Sequence, residues 1–308
     1  MWSGFEEDDE MSKPVPLAKL DEKEYILPAN QACQGCTGAT VARIVSKVLG
    51  NKMVRQEVAC CGPAFGNMNQ PNIYAEVFEG AGALMTGLSR AFKRMNREDA
   101  IVTGLIGDGG TVDIGFQGLS GAAERNENVL WICYDNEAYM NTGGQRSSAT
   151  TKYAETTTTP IGEFSRGKKE RRKNVAAIVA MHRAPYMATA SVAYPEDFIG
   201  KLEYAKNVKG FRFIQVSAPC PTGWRFEPQY AVKIGKEMVL SGLWPLYEVI
   251  DGEKLRITFK PKELKPIRDV LKMQGRFRHI TDDEVKEIQD DVNAYWSRLV
   301  EKDGKEFF

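Results

Sequence analysis

The chain has only two histidines, His182 and His279, in 308 residues. Both fall outside every motif, so surface or core roles suit them better than catalysis. Net charge is also missing: 41 Lys and Arg balance 41 Asp and Glu, and bulk charge therefore points to neither nucleic acid nor an anionic membrane. No apolar run approaches the length of a membrane span. The first 25 residues are acidic and lack an apolar h-region, so no signal peptide, a cytoplasmic setting and no disulfides are expected. No internal repeat or low-complexity tract is visible. The C-x-x-C spacing occurs once, whereas structural zinc usually shows two such knuckles. The length suits one large α/β domain with a substantial core, or a domain plus an appendage.

What is present is led by Gly107-Asp108-Gly109, separated by 26 residues from Asn136. The apolar run 100–106 reads as a buried strand. It delivers the glycines and Asp108 at its carboxyl end, where open α/β sheets place ligands. Glycines let the backbone approach a phosphate closely, and Asp108 offers the hard oxygen that Mg²⁺ takes alongside phosphate oxygens. A second apolar run, 129–134, presents Asp135-Asn136-Glu137, and the Asn136 amide oxygen can reach the same ion. A helix over 114–125 joins the two strands as a right-handed βαβ crossover requires. Gly-Asp-Gly followed by Asn at this distance resembles the thiamine diphosphate motif.

Six cysteines supply a second constellation. Cys33-Gln-Gly-Cys36 has a spacing shared by redox dithiols, zinc half-sites and iron–sulfur half-sites. Cys61 stands in Ala-Cys-Cys-Gly-Pro, and Cys220 follows the strand-like run 211–217 between two prolines that hold it in an irregular loop. Four thiolates from three loops can hold a [4Fe–4S] cluster. Zinc in a Cys₄ site is the competitor, and the single knuckle favours iron–sulfur. Cys133 lies inside an apolar strand and reads as a core hydrophobe. Cys60 and Cys61 are adjacent, so their side chains cannot easily aim at one cluster, and one of them is a bystander.

Together, the diphosphate motif and the cysteine spacing resemble the β subunit of 2-oxoacid:ferredoxin oxidoreductases, with pyruvate:ferredoxin oxidoreductase (pyruvate synthase) as the closest type. The likeness runs from about Ile26 to Pro221 and is densest over 107–150, where Tyr139-Met140-Asn141-Thr142-Gly143-Gly144-Gln145 is close to a family signature. The resemblance implies a thiamine-diphosphate-binding α/β fold, with a mostly parallel sheet and helices on both faces. It implies that Asp108, the Asn136 side chain and the Ala138 carbonyl bind Mg²⁺, that Gly107 and Gly109 pack on the diphosphate, and that Asn141 lies beside the thiazolium and the bound substrate. Cys33, Cys36, Cys61 and Cys220 would hold the [4Fe–4S] cluster. Cys61 is preferred to Cys60 because the family's third cysteine follows a small residue and precedes a small turn segment. The Cys60-Cys61 doublet departs from the usual Gly-Cys, and the basic run Arg166–Lys173 is longer than the family's.

The implied activity is oxidative decarboxylation of a 2-oxoacid, foremost pyruvate, with coenzyme A as acyl acceptor and ferredoxin as electron acceptor. The glutamate that activates the aminopyrimidine ring comes, in this family, from an α subunit. The chain is therefore expected to be inactive without partner subunits, which carry that glutamate and further clusters. Rival readings are the same chemistry on oxalate, 2-oxoisovalerate, 2-oxoglutarate or an aryl pyruvate, a non-redox thiamine carboligase or decarboxylase, and a structural subunit with a degenerate site.

Elsewhere, residues 1–25 read as an N-terminal arm, 26–225 as the cofactor-binding domain, and 226–308 as an interfacial C-terminal extension with helices and a hairpin. Helices are expected over 37–50, 72–95, 197–206, 228–240 and 282–300, and a hairpin turn at Asp251-Gly252. Arg166–Lys173 reads as a solvated face, or more sharply as a dock for acidic ferredoxin. The polar loop Ser147, Ser148 and Thr150–Thr159 is a candidate wall of the substrate pocket.

Overall fold

The computed structural model describes residues 11–28, 30–65, 69–75 and 77–307. Twelve strands form among them: β1 (Met53–Val58), β2 (Asn72–Ala75), β3 (Ile101–Gly107), β4 (Leu130–Asp135), β5 (Ala138–Tyr139), β6 (Gln145–Arg146), β7 (Ile161–Gly162), β8 (Ser165–Arg166), β9 (Tyr186–Ser191), β10 (Arg212–Ser217), β11 (Leu246–Ile250) and β12 (Lys254–Phe259). Eight of them make one sheet in the order β12-β11-β9-β10-β4-β3-β1-β2, and two short hairpins, β5–β6 and β7–β8, stand apart. Every pairing from β9 to β2 is parallel, while β11 runs antiparallel to β9 and β12. The expected mostly parallel α/β sheet is the observed one. β3, β4, β9 and β10 are buried along their whole length, and burial on both faces is why β3 and β4 read as continuous apolar runs.

Nine α-helices form among the described residues: α1 (Thr37–Leu49), α2 (Ala81–Arg94), α3 (Phe116–Glu124), α4 (Val175–Met181), α5 (Pro195–Asn207), α6 (Pro221–Trp224), α7 (Ala231–Leu240), α8 (Ile267–Lys272) and α9 (Asp282–Lys302). One apolar core joins α1 and α5 to the sheet through Val41, Val45, Phe198 and Leu202. A second core, with Met85, Leu119 and Val179, carries α2, α3 and α4. A third, around Trp224, Trp244 and Met238, packs α7, α8 and α9 together. Pro195 at the first turn starts α5, where its missing N–H costs nothing. A capping box between Thr281 and Glu284 starts α9, satisfying two otherwise unpaired donors.

One expectation on secondary structure needs correction, and one strand was not anticipated. Residues 72–95 are not one helix: Asn72–Ala75 forms β2, in register with Arg55–Val58, and the helix begins only at Ala81. Ile73 and Tyr74 favour a strand, and pairing with β1 supplies their backbone partners. β1 itself went unread because Arg55, Gln56 and Glu57 interrupt its apolar pattern, although all six of its residues are buried.

Of the arm, residues 1–10 lie outside the described residues. Residues 12–15 lie against the chain's own α5 and β11, and residues 21–24 against Arg43 and Lys47 of α1. Val15 N–H donates to the Glu196 carbonyl at 3.0 Å, Ser12 Oγ donates to Glu248, and a Cβ at Gly200 would stand 2.1 Å from the Lys13 carbonyl oxygen. The segment 226–308 adds β11 and β12 to the central sheet. Among the described residues no helix is long and apolar enough to cross a membrane.

The small residues of α2 permit one backbone-to-backbone crossing. A Cβ at Gly82 would lie 2.3 Å from the Gly118 carbonyl carbon in α3, whereas Gly87, further along α2, has nothing within 4 Å. The two glycines should respond with opposite sign. Gly82→Ala should destabilise the chain by about 1–3 kcal/mol through overpacking. Gly87→Ala should leave stability unchanged or raise it by up to ~1 kcal/mol through helix propensity. Thermal unfolding of the two variants side by side checks this, and a melting point for Gly82→Ala at or above that of Gly87→Ala would contradict it.

Candidate active site

The adjacent strands β10, β4, β3 and β1 are parallel, so their carboxyl ends open on one edge of the sheet. The loops leaving that edge carry, in the same order, Cys220, Asn136, Asp108 and the Cys60-Cys61 pair. This is the edge on which open α/β sheets take ligands.

Asp108, Asn136 and Ala138 meet there. The outer atom of the Asn136 carboxamide lies 2.9 Å from the Ala138 carbonyl oxygen and 3.0 Å from Asp108 Oδ1. With nitrogen outward, the amide donates to both oxygens. With oxygen outward, the amide oxygen faces the Ala138 and Asp108 oxygens, as a cation bound among them would require. Adjacent ligands of an octahedral Mg²⁺ with ~2.1 Å bonds stand ~3.0 Å apart, so one carboxylate, one amide oxygen and one carbonyl at this spacing fit the ion. Asp108 is fully buried. Burial, then the charge of Asp135, push its carboxyl well above the usual carboxylate range, against a hydrogen bond from Ser147.

The turn that produces this triangle is held by residues the motif does not contain. Glu137 sits in the left-handed region at φ 63°, uncommon for a residue with a side chain. Two guanidiniums hold it there. Arg276 Nη1 reaches Glu137 Oε2 at 2.8 Å and stacks over Trp224, 3.9 Å from the ring centre. Arg172 pairs with Asp135 and, at 3.2 Å, with Glu137, and stacks over Trp244. Thr151 donates to Glu137 through both N–H and Oγ1, at 3.1 and 2.8 Å. Gln215 Nε2 donates to Asp135 at 2.6 Å, and Trp224 Nε1 donates to the Asn136 carbonyl at 2.8 Å. Burial raises the Glu137 carboxyl, but Arg276, Arg172 and Thr151 outweigh it and leave the group below its ordinary value. Burial raises Asp135, with Arg172 opposing.

The basic run is therefore not one solvated face. Lys168 is buried, with Nζ donating to the Ser148 and Thr150 carbonyls at 2.9 and 2.6 Å, and Arg172 is the clamp just described. Arg171 is exposed and pairs with Asp291. The polar loop is scaffold in its first part: Ser147, Thr150 and Thr151 are buried and bond to Asp108 or Glu137. Nothing but proximity in the folded chain identifies Arg172 and Arg276. His182 bonds Ser120 and the Ile178 carbonyl, outside the loops at this edge.

Glycine at 109 answers to a close neighbour, whereas a Cβ at 107 would make ordinary contacts. A Cβ at Gly109 would fall 2.3 Å from the Tyr139 ring, whose hydroxyl donates to the Gly109 carbonyl at 3.1 Å. A Cβ at Gly107 would meet Cys60 Sγ and Tyr134 Oη, each at 3.4 Å. Asn141 is exposed, and its Nδ2 donates to the Cys60 carbonyl at 3.1 Å.

Three of the cysteine loops converge beside these residues. Cys36 caps α1, and the next residue, Thr37, donates to the Pro219 carbonyl at 2.9 Å, tying that helix start to the Cys220 loop. The charge of Cys33 acts on Cys36 and Cys220, and the charges of Cys36 and Cys220 act on Cys61. Burial raises Cys36, with Cys33 adding to it. Burial pushes Cys220 up to about 11, opposed by the N–H groups of Gly223 and Thr222 and reinforced by Cys36 and Cys33. Cys61 is raised by its hydrogen bond with Cys60, by burial, and by the charges of Cys60, Cys220 and Cys36. Among the described residues no three Cys, His, Asp or Glu side chains gather as a single-ion site. The donor set, four thiols on three loops, has the chemistry a [4Fe–4S] cluster takes. Cys60 turns the other way, toward Tyr134 and Gly107. Cys133 is buried in the apolar core.

Residues 66–216 match the family described as "Thiamine pyrophosphate enzyme, C-terminal TPP binding domain". The chain is 43% identical over 288 residues to the pyruvate synthase subunit PorB of Methanothermobacter thermautotrophicus, covering 91% of this chain and 99% of that protein. It is 44% identical to the PorB of Methanocaldococcus jannaschii, over 89% of this chain and 95% of that protein. It is 43% identical to the ketoisovalerate oxidoreductase subunit VorB of Pyrococcus furiosus, over 90% and 93%. In fold it is similar to a solved 2-oxoglutarate:ferredoxin oxidoreductase from Magnetococcus marinus, with a TM-score of 0.56 and 20% identity over 71% of this chain and 82% of that one. A thiamine pyrophosphate-binding domain and near full-length similarity at this level carry one conclusion: the chain belongs to the family of pyruvate synthase and ketoisovalerate oxidoreductase B subunits, within the 2-oxoacid:ferredoxin oxidoreductases.

Proposed function

We propose that this chain is the thiamine diphosphate- and [4Fe–4S]-carrying subunit of a complex that oxidatively decarboxylates pyruvate, with coenzyme A, to acetyl-CoA and CO₂ and reduces ferredoxin. The observation that carries the reading is the meeting of Asp108, Asn136 and the Ala138 carbonyl at strand ends that neighbour the loops of Cys61 and Cys220. Thiamine diphosphate supplies an electron sink for decarboxylation, and the cluster supplies one-electron steps. Asp108, Asn136 and the Ala138 carbonyl would hold the Mg²⁺ that fixes the diphosphate, and Gly107 and Gly109 would border it. Arg172 and Arg276 keep the Asn136–Ala138 turn in place. Asn141, oriented by the Cys60 carbonyl, is positioned to hydrogen-bond the substrate. Cys33, Cys36, Cys61 and Cys220 would hold the cluster. An α subunit supplies the pyrimidine-side glutamate, and further subunits or domains relay electrons to ferredoxin. A second reading, 2-oxoisovalerate as substrate, is favoured by the ketoisovalerate oxidoreductase relative, which is as similar as the pyruvate synthase ones.

The deciding assay reconstitutes the complex anaerobically and measures viologen reduction on pyruvate, 2-oxoisovalerate, 2-oxoglutarate, oxalate and an aryl pyruvate. Fastest turnover on pyruvate, dependent on coenzyme A, is expected, with about four irons per chain that are lost in Cys33→Ala and Cys220→Ala. Preference for 2-oxoisovalerate selects the second reading. Zinc in place of iron removes the cluster, and decarboxylation without iron selects a non-redox enzyme.

The clamp can be tested through binding. Arg172→Leu strips a half-buried cation from two buried carboxylates, a change worth about 3–5 kcal/mol. It should lower the melting temperature and abolish Mg²⁺-dependent thiamine diphosphate binding, as Asp108→Ala should by removing the charged ligand. Arg171→Leu, one residue away and exposed, should change neither. Equal behaviour of the two arginine variants in calorimetric titration would remove Arg172 from this role.

Asn141 separates binding from chemistry. Asn141→Ala should leave thiamine diphosphate affinity nearly unchanged and slow single-turnover cluster reduction by roughly ten- to a thousandfold, the range for a polar contact made mainly in the transition state. Lost affinity together with lost turnover would mark it as a structural asparagine instead.

A further inference from the structure

We propose that Ser147 is a positioning residue that sets which divalent cation the site prefers. Its hydroxyl occupies Oδ2 of Asp108 and leaves a single carboxylate oxygen for the ion, the ligation that suits Mg²⁺ rather than Ca²⁺. The inference rests on the magnesium reading above and concerns a residue outside the three ligands assigned there.

The two oxygens of Asp108 face different partners. Oδ1 lies 3.0 Å from the outer atom of the Asn136 carboxamide, inside the triangle with the Ala138 carbonyl. Oδ2 is bonded to Ser147 Oγ. Both residues are fully buried. The loop that carries Ser147 is tied to the other side of the triangle as well. Ser147 N–H donates to Thr150 Oγ1 at 3.0 Å, and Thr150 Oγ1 donates in turn to the carbonyl of Glu137, the residue between Asn136 and Ala138. Ser148 N–H donates to Asp113 Oδ2 at 2.9 Å, and the Ser148 carbonyl accepts from Lys173 N–H at 2.9 Å. With Lys168 Nζ on the Ser148 and Thr150 carbonyls, the loop leaves Ser147 little freedom to follow a moving carboxylate.

The direction of the bond follows from what each atom has to give. Ser147 Oγ accepts from Ala149 N–H at 3.2 Å. A carboxylate that ligates a cation carries no hydrogen, so the hydroxyl hydrogen goes to Oδ2. That bond fixes the carboxylate plane, and only Oδ1 turns to the ion. Mg²⁺ demands near-ideal octahedral geometry, with adjacent ligands ~3.0 Å apart, and the two oxygens of one carboxylate are too close together to fill adjacent corners. Ca²⁺ takes about six to eight oxygens at longer distances and accepts bidentate carboxylates. Released from Ser147, Asp108 can offer both oxygens, which favours the larger ion. Ser147 thus acts through the orientation of Asp108 and not by touching the metal.

The test is a calorimetric titration of thiamine diphosphate into the cofactor-depleted complex, once in MgCl₂ and once in CaCl₂. In Ser147→Ala the Mg²⁺-dependent affinity should fall roughly ten- to a hundredfold, the range for losing a hydrogen bond to a charged group. The Ca²⁺-dependent affinity should fall less, so the ratio of the two drops several-fold. Ser147→Thr, which keeps the hydroxyl, should hold the ratio near wild type. Ser147→Cys, a weaker donor of similar size, should move it in the alanine direction by less, and it serves where the alanine variant does not assemble. Ser148→Ala, at a residue whose bonds run through its backbone, should leave the ratio unchanged. An equal change of affinity in the two salts, or none, in Ser147→Ala would overturn the inference and leave the magnesium reading standing. So would a ratio that shifts alike in Ser147→Ala and Ser148→Ala. Thiamine diphosphate that binds the wild-type complex without a divalent cation, or binds Asp108→Ala as tightly as wild type, would instead sink the magnesium reading itself.

Discussion

Two arginines set against two buried carboxylates are the constraint on which this site depends. Asp135 and Glu137 flank Asn136 at the end of β4, each with 1% of its surface exposed. Leaving either charge unpaired in that setting would cost several kcal/mol. Arg172 answers both and Arg276 answers Glu137 a second time. With those charges met, Glu137 can hold a left-handed backbone. That conformation aims the Asn136 amide and the Ala138 carbonyl at Asp108. Remove the guanidiniums and the oxygen triangle has no reason to persist.

The clamp also binds distant parts of the chain into one unit. Arg172 comes from the basic run before α4, and Arg276 from the turn after α8. The tail beyond 225 thus supplies a charge to the carboxyl edge as well as two strands to the sheet. Trp224 and Trp244 cover the two guanidiniums, which shields the ion pairs from water and strengthens them. Trp224 stands four residues past Cys220 in the same loop–helix segment, so the thiol side and the oxygen side of the site share a wall.

Sheet order does the rest. Cys33 and Cys220 are remote in sequence, yet Thr37 meets Pro219 directly. The Cys60-Cys61 peptide lies between the two halves, bonded to Asn141 on one side and, through Gly62, to Tyr134 on the other. Between Cys61 and the Gly107 loop stands the side chain of a single residue, Cys60. That closeness follows from β1, β3, β4 and β10 being neighbours, and it suits a site in which electrons leave one cofactor for another.

Much of this was legible before folding. Continuous apolar runs marked β3 and β4, because strands buried on both faces need no polar alternation, and the strand-like run 211–217 marked β10. Val41, Ile44, Val45 and Val48 at helical spacing marked α1, and Asp251-Gly252, both at positive φ, marked the hairpin. Asp108, Asn136 and the cysteines could be named because their chemistry is local and their spacing is short or recurrent. Tertiary structure alone decided the rest. β1 was hidden because its charges are buried as a pair, and that pairing is not visible in one segment. Arg172 looked like part of a solvated run until Asp135 and Glu137 were beside it. Which cysteine of the doublet faces which side is set by the hydrogen bonds of its peptide to Asn141 and Tyr134. A sequence records which groups can bear charge or bind metal. Contacts between residues far apart in the chain determine which of them are forced, by burial, to meet.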